Sequence, residues 1–213
     1  MSKKSLLYIG AGVLFILAAV LAYVERILMV GADVTYDGLV SLSFKSLHID
    51  WIKEMAKDSM TNLDWMNIAF LALVGVVMLV KAFMPDLVPE IALVGVLGLL
   101  AMVWAGKLVV YMMDMGRMGR PFMNSMIVIG QDLLMLAAFA GMAAIIFLKD
   151  SLGQFYFVPA MLAITSLVIS ILMHVTGMFG YARYAFGSLL LLVIMDVMAP
   201  MALLATGMAN NEE

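Results

Sequence analysis

The chain has 213 residues, 65% of them apolar and 13% charged, with no cysteine and a net charge of −3. A soluble domain carries about 45–50% apolar and about 25% charged residues, so a mean hydropathy of +1.10 requires much of this surface to face lipid. The lack of a basic run excludes a nucleic-acid partner, and the lack of cysteine excludes disulfides, Fe–S clusters and thiolate zinc sites.

Charge-poor stretches locate the elements, because a charge at the bilayer centre is costly. They predict an all-α, polytopic membrane helix bundle, a single domain over 1–213, multi-pass in a prokaryotic cell membrane. Six spans are expected, at approximately 5–27, 65–83, 89–113, 121–148, 155–176 and 181–207. The uncharged run after Lys3-Lys4 is longer than a signal-peptide core and lacks a small-x-small site, so it reads as a retained first helix.

Residues 28–64 form the one long polar segment. Within 43–58, Phe44, Leu47, Trp51, Ile52 and Met55 fall on one helical face, with Lys45, Lys53, Glu54, Lys57 and Asp58 largely on the other. Such a helix beds in the headgroup layer, docks a partner subunit, or lies as a lid over a cavity. The second span stops at Lys81 and the Pro85–Pro89 turn. Pro121 suits the first position of the fourth, and Lys149–Gly153 reads as a turn before the fifth.

Orientation stays open. Positive charges number four on the side of the termini and seven on the other, which favours an external N-terminus, whereas the flanks of the first helix favour an internal one.

Three ionisable residues lie inside the spans: Lys107, Asp132 and Asp196. Lys107 precedes the loop between the third and fourth spans by about 10 residues and Asp132 follows it by about 14, so their depths differ by about 6 Å. Asp196 is at a similar distance from the loop of the last hairpin. Pro200 removes the hydrogen bond that the Asp196 carbonyl would accept and is expected to kink the helix. One lysine pairing with one aspartate makes a strut, and a remaining acid makes an ion or proton site. His174 near the end of the fifth span is a further proton-pathway candidate, with haem or pigment binding as a minor alternative. Met112, Met113, Met115, Met118, Met123 and Met126 cluster around one loop and offer soft donors for Cu(I), although methionine also packs irregular gaps. No cofactor is predicted. Small residues at Gly95, Gly98, Ala137 and Gly141 mark expected helix-packing faces.

No HExxH, G-x-S-x-G or P-loop is present, which argues against an enzyme. Two functions follow. One is a non-catalytic accessory subunit of a larger membrane complex, with lipid and other membrane subunits as partners. The other is a small ion- or proton-coupled transporter using Lys107, Asp132 and Asp196, walled by a homo-oligomer.

Overall fold

The computed structural model describes residues 2–30, 59–114, 122–175 and 186–212, all in helices and short turns. The helices are α1 (Lys3–Val30), α2 (Ser59–Phe83), α3 (Glu90–Asp114), α4 (Phe122–Phe147), α5 (Lys149–Leu152), α6 (Val158–Val175) and α7 (Phe186–Asn211). A 3₁₀ turn, Gly153–Phe155, lies between α5 and α6. The expected amphipathic helix at 43–58, with Phe44, Leu47, Trp51, Ile52 and Met55, lies outside the described residues.

The long helices are apolar on both faces. On α1, Tyr8, Ala11, Phe15 and Ala18 point into the core, while Leu6, Val13, Leu17 and Val20 point outward. α3 repeats the pattern, with Leu93, Leu97 and Leu100 inside and Ile91, Met102 and Val109 outside. A helix that is apolar all round suits a core or a membrane. Four helical stretches are long and apolar enough to cross one: Lys3–Tyr23, Asn62–Phe83, Glu90–Met113 and Met126–Phe147. A fifth exists if Lys149–Phe155 and Val158–Leu172, bent by 41° at their break, count as one span. This fits a membrane protein with four or five such helices among the described residues, fewer than the six expected. The fifth is interrupted because the chain between Leu148 and Val158 winds into a short helix and a 3₁₀ turn. The part of the expected sixth span that is described, from 186 on, belongs to α7, whose apolar run contains Asp196 and Pro200.

The helices pack as a ring in the order α1, α2, α3, α4, α6, α7 and back to α1, with α4 also touching α7. An ion pair between Lys3 and Glu212 joins the two ends of the described chain. At the same end, Lys81 is buried and donates to the Val88 carbonyl at 2.8 Å, closing the α2–α3 turn. The interior on this side is filled by Phe15, Met78, Leu97, Met142 and Leu203, all fully buried.

α1 and α2 approach each other closely through a pair of glycines. A Cβ on Gly12 would stand 2.8 Å from the Gly75 carbonyl oxygen, and one on Gly75 would stand 2.8 Å from that of Gly12. The faces expected from small residues are looser. Gly95 and Gly98 have nothing within 4 Å of such an atom, and Gly141 has only Pro159 at 3.7 Å. The reason is that a small-residue stripe on one helix does not identify which element packs against it. The polar tail expected at Asn210-Asn211 is helical instead, with Asn210 only 2% exposed.

Candidate functional site: an acidic cavity within the helix ring

Away from the termini the helices border a partly open cavity of about 330 Å³. Its ionisable lining residues are Asp64 from α2, Lys107 from α3, Asp132 from α4 and Asp196 from α7. Asn67, Gln131, Ser166 and Ser170 add neutral polar groups, and Leu71, Met135, Phe139 and Ala163 add apolar ones. The three ionisable residues that the sequence sets at one depth therefore border one space. The common depth follows from antiparallel geometry, in which equal distances from a connecting loop give equal heights.

Lys107 pairs with Asp64, its Nζ 2.8 Å from Asp64 Oδ1, and both side chains are largely buried (15% and 20% exposed). The same ammonium sits 4.3 Å from the centroid of the Trp104 ring. That distance lies within the range where a cation is attracted to an indole face. α2 begins at Ser59, six residues before the span expected from 65. The apolar stretch long enough to cross a membrane starts at Asn62 and so includes Asp64. An aspartate taken alone marks the end of a span, whereas one neutralised by a lysine on the neighbouring helix does not.

Asp132 is 9% exposed, and neither a hydrogen-bond partner nor an ion-pair partner of it is found among the described residues. Its neighbour Gln131 is held firmly. Gln131 Nε2 donates to the Ser166 carbonyl at 3.2 Å, and Ser166 Oγ reaches the Gln131 carbonyl at 3.5 Å. This reciprocal clasp fixes α4 against α6 at the level of Asp132. Pro200 lies inside a helix that continues to Asn211.

No family model, curated protein or solved structure matches this chain. Its chemistry is therefore read from the cavity alone.

His174 belongs to the last turn of α6. Of the methionine cluster, Met112, Met113 and Met126 are all exposed, Met113 at 74%, and Met115 and Met118 lie outside the described residues. Among the described residues no three His, Cys, Asp or Glu side chains are grouped to hold a metal ion.

Two cavity residues escape a reading of the sequence in isolation, Asp64 and Trp104. Asp64 carries a usable signal. It precedes the centre of the Pro85–Pro89 turn by about 23 residues and Lys107 follows it by about 20, which puts them within about 5 Å of the same depth. Trp104 is three residues before Lys107, the helical spacing at which side chains meet.

Proposed function

We propose that this chain is a multi-pass membrane protein that binds a cation or a proton between its helices and moves it across the bilayer, with Asp132 and Asp196 as the carrier carboxyls. One observation carries the reading: four different helices each contribute an ionisable side chain to a single interior cavity. Ionisable groups at membrane depth are costly and mark ion or proton pathways. Among the described lining residues, three carboxyls stand with one ammonium, a set that suits a positive occupant. Lys107 serves as the internal counter-ion, itself balanced by Asp64.

In this reading α7 is the sixth span. Its 26 residues reach about 39 Å at about 1.5 Å per residue, and the hydrocarbon core is about 30 Å thick. Its place in the ring between α6 and α1 and the Lys3–Glu212 pair support an even number of crossings.

The accessory-subunit reading draws on the Lys107–Asp64 pair as a strut between α2 and α3. It accounts for Lys107 but gives Asp132 no role. The deciding experiment is reconstitution of the chain alone in liposomes, with current recorded after a jump in cation or proton gradient. A current above that of empty liposomes is expected. Its absence, together with stoichiometric foreign subunits in native mass spectrometry, would favour the accessory role.

A further inference from the structure

The cavity also indicates the class of cation it takes, an inference that rests on the reading above. Its volume of about 330 Å³ falls at the lower end of sites for small organic molecules, about 300–1,000 Å³. A water-sized ion needs about 30 Å³. The walls are mixed as well. The lining also includes Leu71, Met135, Phe139 and Ala163, an apolar floor that offers a bare inorganic ion no ligands but gives an alkyl chain an apolar surface. The carboxyls are spread around the space and do not form a metal-holding group among the described residues.

Lys107 is itself an example of what this lining accepts. It is an alkylammonium on a four-carbon stem, held with a carboxylate at 2.8 Å and an indole face at 4.3 Å. Together these are the contacts by which proteins recognise ammonium groups. Asp132 is nine-tenths buried, lines the same cavity and has no hydrogen-bond or ion-pair partner among the described residues. It is the acceptor available to a second ammonium.

We propose that the cavity binds a small organic ammonium of roughly the length of Lys107's own side chain, its nitrogen at Asp132 and its alkyl chain on the floor formed by Met135, Phe139 and Ala163. The cavity then holds two ammonium groups side by side, one tethered and one exchangeable.

The test is a titration of the purified full chain in lipid nanodiscs, read by tryptophan fluorescence and thermal shift. The probes are butylammonium, methylammonium, sodium and potassium at constant ionic strength, with butanol as the uncharged control. Butylammonium is expected to bind saturably and to raise the melting temperature, and butanol is expected to do neither. Asp132→Asn, nearly isosteric, is expected to weaken butylammonium at least tenfold. Ala163→Val narrows the floor and is expected to weaken butylammonium several-fold more than methylammonium, which keeps the proposal testable if Asp132→Asn does not fold. Displacement of butylammonium by equimolar sodium or potassium would overturn the organic-ammonium proposal while leaving the cation reading intact. Failure of folded wild type to bind either ammonium probe would also overturn it, and the current measurement then decides the cation reading separately.

Discussion

Asp64 and Lys107 face each other across the α2–α3 hairpin with 2.8 Å between Oδ1 and Nζ. The pair explains why each residue is tolerated in an apolar helix. Removing one partner from a buried pair leaves the other uncompensated, which costs about 3–5 kcal/mol, whereas replacing both by apolar side chains is often neutral. Asp64→Leu alone and Lys107→Met alone are each expected to lower the melting temperature strongly, and the double variant to recover most of the loss. A double-mutant cycle by thermal unfolding in detergent checks this. Additive effects of the two substitutions would contradict the pairing.

The crossing of α1 and α2 depends on the absence of side chains at Gly12 and Gly75. A Cβ at either position meets a backbone carbonyl at 2.8 Å, so the helices must separate to admit it. Gly75→Ala is expected to cost about 1–3 kcal/mol. Gly98→Ala, with open space around it, should change stability by less than about 0.5 kcal/mol. Parallel melting curves compare the two, and equal losses would place the close contact elsewhere.

At the end of the bundle near the termini, Lys81 is buried and donates to the Val88 carbonyl at 2.8 Å, with Tyr8 beneath it at 6.0 Å from ring centroid to Nζ. Lys81→Met keeps the length of the stem but leaves that carbonyl without its donor, a loss of about 1–3 kcal/mol. Lys81→Arg restores a donor and should recover part of it. Proteolysis of the α2–α3 turn in nanodiscs is the sensitive readout, with the fastest cleavage expected for the methionine variant and an intermediate rate for the arginine variant.

Much of the bundle was legible in the sequence because its signals are local. Runs of apolar residues, Pro85 and Pro89 around one turn, and Asp114 at one helix end located α3 and α4 to within one or two residues. The depth argument brought Lys107, Asp132 and Asp196 to one level, since it needs only chain direction and rise per residue. Features that depend on rotation about a helix axis were hidden. Nothing in the sequence pairs Lys107 with Asp64 in preference to Asp132, or sets Gly12 against Gly75. Those choices are made by which faces meet when six helices close a ring. Asn210 misled for a related reason, since polar residues near a chain end read as solvated tail although the helix carries this one inward.

The most direct test of the central claim is flux through liposomes containing wild type or Asp132→Asn at equal, verified folded content. The substitution removes a titratable carboxyl from the cavity with almost no change in shape. The account predicts a fall in cation- or proton-driven current of at least tenfold, with the melting temperature little changed. Full current in Asp132→Asn would contradict it, because the cavity would then be incidental to whatever the protein carries.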